Sequence, residues 1–210
     1  LRVIEGARRG GSRKVVVAST AAIYRPPEPA ELPLRESHPH QPVEPHGVAA
    51  EALTAYLVAY RERFDLEFTA LALGSVYGPR QRSGVVVDVV RSVLAGEPCE
   101  VAGGPGRTVD LVFVDDVVDA LVRAAERGSG LVVNVGSGVE TSLGSLHAAV
   151  AAGTGQPAGT LRARADDDGG APVRMALDPG RARIHLGWSP WTALEDGLAL
   201  VVGEPGRPPA

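Results

Sequence analysis

The sequence predicts an α/β fold built on a parallel sheet, and three observations predict it. Three apolar runs, residues 14–19 (KVVVAS), Glu67–Leu73 and Leu131–Val135, are short and bounded by polar or glycine residues. Runs of that length and character suit strands covered on both faces. The segments between them place apolar residues at helical spacing, and strands alternating with helices imply a sheet sandwiched by helices.

In chain order, Val3, Ile4 and Ala7 fall on one helical face of residues 2–10, and Gly10-Gly11 stops that helix. Residues 14–19 form the first strand. Residues 25–45 are too rich in proline and polar groups for a strand or helix, and loops that long are usually functional. A helix over residues 47–64 carries Leu53, Tyr56, Leu57 and Tyr60 on one face. Glu67–Leu73 is a second strand, closed by Gly74 and the turn Tyr77-Gly78-Pro79, and Val85–Ala95 is a helix stopped by Gly96 and Pro98. After the glycine-rich turn of residues 103–106, residues 109–114 are expected to be extended. Asp115 is expected to cap a helix reaching Arg127. Leu131–Val135 ends in Gly136-Ser137-Gly138, and Thr141 is expected to cap a helix over residues 141–152. Residues 153–172 read as a loop, followed by short helices over 179–186 and 192–202 and a frayed tail.

Composition narrows the function classes. Of 210 residues, 44% are hydrophobic, enough for one core or a core plus a small lobe. The charged fraction of 22% and net charge of −4 give no electrostatic reason to expect nucleic acid or an acidic membrane as partner. Cys99 is the single cysteine, so a reducing compartment, the cytoplasm, is the expected setting. No apolar stretch approaches the roughly 20 residues that span a bilayer. The chain opens on Leu1 and reads as a fragment or a truncated reading frame.

Glycine clusters are the first candidates for a phosphate cradle, which needs G-x-G-x-x-G directly after a strand and opening a helix. Gly6, Gly10 and Gly11 precede a strand, Gly136 and Gly138 lack the third glycine, and residues 103–106 precede an extended segment. Ordinary turn chemistry accounts for each. Asp166, Asp167 and Asp168 open like a calcium loop, but Leu177 stands where the closing glutamate belongs. No His/Cys cluster suggests zinc, and no metal is expected.

Six segments in order carry a shared pattern. Ser19-Thr20-Ala21-Ala22-Ile23-Tyr24 is similar to S-[ST]-x-x-V-Y-G, with Arg25 for the glycine. ELPLRESHPHQPVEPHGVAAEAL resembles a stretch holding Y-x-x-x-K, and LALGSVYGPRQ resembles R-x-x-N-V-Y-G-P-R-Q. GGPGRTVDLVFVDDVVDAL, VVNVGSG and LGWSP with LEDGL follow. Together they resemble the extended short-chain dehydrogenase/reductase family, in its NAD-dependent nucleotide-sugar epimerase/dehydratase group. The resemblance implies a partial Rossmann-type parallel sheet whose N-terminal βαβ units, with the glycine-rich motif, are missing, plus a small C-terminal α/β substrate lobe. Residues 1–75 would be the C-terminal half of the dinucleotide domain. Residues 76–210 would be the substrate lobe, interleaved with returning sheet elements.

The implied activity is hydride transfer at a carbon of a nucleotide sugar, with NAD or NADP as cofactor. In the family a tyrosine moves a proton on the sugar hydroxyl, a lysine lowers its pKa and holds the ribose, and a Ser or Thr bonds the same oxygen. Thr20 matches the last of these. His46 stands at the tyrosine position and Ala50 at the lysine position. Two readings are open: decay to a silent binding or scaffolding protein, or a histidine base, since an imidazole titrates near pH ~6.5 without a lysine's field. The resemblance puts Ser19, Tyr24, Ser75 and Val76 at the cofactor, and Arg80, Arg107 and Arg174 are candidate phosphate contacts. Val109 replaces the arginine that grips the diphosphate, and Ser75 the turn asparagine. Family members commonly pair through the helix after the Y-x-x-x-K site. The helix of residues 47–64, apolar on more than one side, implies a homodimer.

Overall fold

The computed structural model describes residues 1–164 and 173–203. The acidic run of residues 166–168 and the tail expected to fray from residue 204 lie outside the described residues. Helix α1 (Arg2–Arg9) leads through Gly11, whose φ of +73° suits only glycine readily, into strand β1 (Lys14–Thr20). A 3₁₀ turn at Ala21–Ile23 opens the proline-rich segment, which ends at α2 (Pro45–Phe64). That helix begins two residues before the sequence suggests, because proline at the first turn lacks only an N–H that would have no helical partner.

The elements that follow are β2 (Glu67–Leu73), β3 (Ser75–Tyr77), α3 (Val85–Ala95), β4 (Cys99–Val101), β5 (Thr108–Val109), β6 (Leu111–Phe113) and α4 (Val114–Glu126). Then come β7 (Leu131–Val135), β8 (Thr141–Ser142), α5 (Leu143–Thr154), β9 (Leu161–Ala163), α6 (Gly180–Leu186) and α7 (Leu194–Gly203). Strands β1, β2 and β7 form one parallel sheet in the order β1-β2-β7. Thr20 lies opposite Leu73 and Leu73 opposite Val135, so the three carboxyl ends are level. Among the described residues no strand pairs with the outer edge of β1.

The remaining strands are short and paired two by two: β3 with β6, β4 with β9, and β5 with β8. Here the structure corrects several expectations. The extended run over 109–114 is broken at Asp110, with β5 pairing antiparallel to β8 and β6 parallel to β3. Helix α4 starts at Val114, and neither Asp115 nor Asp116 caps it. The Asp116 carboxylate instead accepts the N–H groups of Trp191 and Thr192 at 3.1 Å each and the Thr192 hydroxyl at 2.7 Å. Ser142, not Thr141, caps α5, its hydroxyl accepting the Ser145 N–H at 2.9 Å. The loop over 153–172 contains β9, and β3 and β4 also escape the sequence pattern. Two- and three-residue strands carry no periodicity of their own, and tertiary pairing makes them.

Apolar burial follows the helix faces. Val86, Val89 and Val93 of α3 pack with Leu143, Leu146 and Val150 of α5, while Ala120 and Ala124 of α4 pack on Leu71, Val133 and Trp188. Burying one Val or Leu side chain stabilises by about 1.5–3 kcal/mol. The proline-rich segment is tied to β7 by Asn134. Its amide donates to the Leu34 carbonyl at 2.9 Å, its oxygen accepts from Tyr24 at 2.7 Å, and its N–H donates to Glu36 at 2.9 Å.

Glu5 joins α1 to α2: it accepts hydrogen bonds from Arg8, from Arg9 and, at 3.1 Å, from the Tyr60 hydroxyl. Bonds to the two arginines hold its carboxyl at about 2. A depressed carboxyl pKa contributes stability above the unfolded value, lost as pH falls from about 4.5 toward about 2. Glu5→Gln should therefore lower the thermal midpoint at pH 6, with the gap to the parent closing as pH falls to 2. Melts by circular dichroism across that range measure it, and a gap independent of pH would refute the linkage.

Candidate functional site

Two regions emerge at the carboxyl side of the sheet. The first joins the end of β1 to the start of α2. The Thr20 hydroxyl accepts the Ala22 N–H at 3.1 Å, which tightens the chain into its 3₁₀ turn and leaves the hydroxyl proton free to donate. The Ala22 carbonyl in turn faces Gly47, where a Cβ would come within 2.2 Å of that oxygen. Only glycine permits this approach, and His46 is thereby brought beside the Thr20 turn at the helix start. His46 is exposed there.

Ser19, one residue earlier, has a buried hydroxyl oxygen without a hydrogen-bond partner. Ala50, one turn beyond His46, packs against the apolar cluster of Ala21, Ile23, Tyr24 and Leu34. Tyr24 is 3% exposed, and burial raises its pKa, so the phenol stays protonated while donating to Asn134. In this structure its hydroxyl serves the anchoring of the proline-rich segment.

The second region is a cavity of about 340 Å³ between β3, α3, β4, β5 and α5. Ser75, Val76 and Arg107 line it together, with Val109 at its wall. Arg107 Nε is buried without a hydrogen-bond partner, and one Nη donates to the Ala102 carbonyl at 3.4 Å. Arg164, at the end of β9, brings a second guanidinium to the same cavity. Of the two acids on the lining, Glu100 is already paired with Arg162 at 2.6 Å, leaving Asp88. Gln81 lines the cavity too, its Oε1 buried and without a partner.

The other two candidate arginines are elsewhere. Arg80, with φ of +66°, is exposed and borders a shallower depression with Val76, Tyr77 and Val114. Arg174 is bound through two nitrogens to Glu140, which the Thr108 hydroxyl also reaches at 2.8 Å. That pairing lowers the Glu140 pKa and raises that of Arg174. Sequence reasoning missed Arg164 and Gln81. No motif marks an arginine at the end of a three-residue strand, and only the β4–β9 pairing carries it to the cavity.

It also missed Asp110, which is fully buried. One carboxylate oxygen accepts the Ser137 N–H at 2.6 Å and hydroxyl at 2.7 Å; the other accepts Gly138 N–H at 3.1 Å and Leu177 N–H at 2.8 Å. Burial still pushes its pKa up against these bonds. The glycines of the 136–138 turn thus close around a carboxylate and not around a phosphate. Gly103, Gly104 and Gly138 all have positive φ, as turn residues. Among the described residues no group of His, Cys, Asp and Glu could hold a metal ion. Nor, among the described residues, is any helix long and apolar enough to cross a membrane.

Comparison with known proteins follows the same outline. The model of the NAD dependent epimerase/dehydratase family matches residues 1–136. A UDP-glucose 4-epimerase from Mycolicibacterium smegmatis is 41% identical over 96% of this chain and 65% of its own length. The UDP-glucose 4-epimerase of Thermotoga maritima, solved with UDP-glucose, superposes with a TM-score of 0.89 at 32% identity, covering 96% of this chain and 66% of that one. The Thermus thermophilus UDP-glucose 4-epimerase, solved with NAD, gives 0.83 at 28% identity over 97% and 67%. The chain therefore spans about two thirds of the length of these relatives, with a Rossmann-type parallel sheet common to the fold, and it belongs to the NAD dependent epimerase/dehydratase family.

Proposed function

We propose that this chain binds a nucleotide sugar, with the Arg107 cavity receiving the nucleoside diphosphate and the Thr20–His46 region receiving the sugar, in a protein whose turnover is impaired. The observation that carries the reading is Arg107: a guanidinium lining a cavity, with a buried Nε that has no partner, beside a second arginine at 164. Charge-assisted bonds to a diphosphate are the strong contacts such a pair can make. The relatives described above are UDP-glucose 4-epimerases, which agrees with that ligand class. In this reading residues 1–75 contribute the dinucleotide side and 76–210 the substrate lobe, in a cytoplasmic setting.

Impairment is supported by two substitutions. Val109 offers no charge to a diphosphate, and Ala50 offers a methyl group where the family's lysine would hold the nicotinamide ribose. Ser19 presents an unpartnered hydroxyl at the end of β1, but without an ammonium at position 50 the described residues do not fit a ribose gripped in the family's manner. Whichever of NAD or NADP the family chemistry uses, this chain alone should hold it weakly. The same Ala50 favours a second reading, a silent binding or scaffolding protein with this fold. Under the first reading His46 accepts a proton from a sugar hydroxyl whose oxygen Thr20 holds by hydrogen bond.

Calorimetry tests the binding reading. UDP and UDP-glucose should bind the parent chain, Arg107→Ala should weaken both by about tenfold or more, and NAD should bind at millimolar affinity or not at all. Equal affinity of parent and variant for UDP would remove the diphosphate assignment.

In a longer form of the protein that carries the dinucleotide motif, the expected result is a turnover loss of about two to four orders of magnitude in His46→Ala. His46→Tyr should not restore turnover without Ala50→Lys. Unchanged turnover in His46→Ala would eliminate the histidine base, and absence of turnover in the parent would favour the silent reading.

Homodimer formation through α2 belongs to the same reading. Val48, Tyr56, Val58 and Phe64 of α2 are each close to half exposed, alongside exposed alanines that allow close helix approach. Sedimentation should give a dimer at micromolar concentration, and Ala52→Glu with Ala55→Glu should give a monomer. A monomeric parent would overturn this.

A further inference from the structure

Trp191 stands outside both regions. Its indole is 65% exposed, whereas Trp188 is buried, so the fold does not need it for its core. Yet the backbone beneath it is fixed. Asp116 Oδ2 accepts the N–H groups of both Trp191 and Thr192, and the Asp116 carbonyl accepts the Trp188 indole N–H at 2.8 Å. An indole on fixed backbone is a pre-ordered surface that gives up little freedom when a ligand covers it.

The indole borders a cavity of about 460 Å³ lined also by Leu111, Val139, Thr141, Leu194 and Glu195. Leu111 is the one residue it has in common with the Arg107 cavity, so the two share no polar group. The lining contains no arginine or lysine, and its ionisable acid is Glu195. A phosphate would meet the Glu195 carboxylate there and no cationic side chain. The hydroxyls of Ser137 and Thr192 are already bonded to Asp110 and Asp116. No described residue hydrogen-bonds the Thr141 hydroxyl or the Glu195 carboxylate. The free groups are thus one flat apolar ring, one hydroxyl and one acceptor pair, disposed around a concave space.

We propose that the Trp191 cavity is a second ligand site, for an uncharged sugar ring. A pyranose has one face of C–H groups, which packs on an indole, and a rim of hydroxyls, which donate to Glu195 and exchange bonds with Thr141. The site is independent of the nucleotide reading, because none of its polar groups serves the Arg107 cavity.

Ligand-observed saturation-transfer NMR tests this with methyl β-glucoside, methyl β-galactoside and N-acetylglucosamine, each without nucleotide. At least one should receive saturation from the parent chain, strongest on the protons of one ring face, with millimolar affinity. Trp191→Ala should abolish the transfer and Glu195→Gln should weaken binding several-fold. Because Trp191 is exposed, the alanine variant should keep the parent's circular dichroism, and Trp191→Phe should retain part of the transfer. Saturating UDP should leave the signal intact, which separates this site from the diphosphate cavity. Lack of transfer to all three sugars, transfer that survives Trp191→Ala, or displacement by UDP would each overturn the proposal.

Discussion

Four hydrogen bonds converge on the Asp110 carboxylate, and the joint between the β1-β2-β7 sheet and the β3–β6 pair depends on them. The residue sits where β5 ends and β6 begins, so its side chain reaches the turn after β7 and the strand-like stretch at Leu177 at once. Its carbonyl also accepts the Ser75 N–H at 2.7 Å, which fixes the start of β3 and one wall of the Arg107 cavity. Two glycines make room: a Cβ at Gly74 would meet the Asp110 carbonyl at 2.8 Å, and one at Gly136 its carboxylate at 2.6 Å. A buried carboxylate is costly unless its oxygens are filled with donors. Here three of the four donors come from the turn at residues 136–138, so that turn cannot rearrange without exposing the cost.

A second buried acid repeats the device. Asp116 collects Trp191 and Thr192 as Asp110 collects Ser137, Gly138 and Leu177. Both use a carboxylate near the strand β6 to hold backbone N–H groups from distant sequence. Asn134 does the same work for the proline-rich segment through an amide, presenting donor and acceptor together. These three side chains, 110, 116 and 134, explain how a chain with many two- and three-residue strands keeps one arrangement. The short strands contribute few ladder bonds, and side chains fasten their connections.

The environment of His46 and Ala50 follows from helix geometry. Positions 46 and 50 share a helix face one turn apart, and Gly47 lets that face approach the Ala22 carbonyl. An alanine at 50 is absorbed into an apolar cluster without leaving a polar group unpaired. The fold therefore accommodates an alanine at this position within its apolar packing.

The sequence by itself determined the three strands of the parallel sheet and the four longest helices, because runs of five to seven mostly apolar residues and two turns of helical spacing are local signals. It also determined the family, through six motifs in order. Tertiary structure decided what local pattern does not encode. Asp116, in the first turn of α4 beside the Asp115 expected as its cap, bonds a turn 75 residues away. Residues 109–114 read as one extended run, but a buried carboxylate divides them between two sheets. Of the three candidate arginines, Arg107 reached the cavity and Arg174 went to Glu140, a choice made by which strands pair and not by any spacing along the chain. Arg164 entered the same cavity for that reason alone: β9 is a strand only because β4 lies beside it.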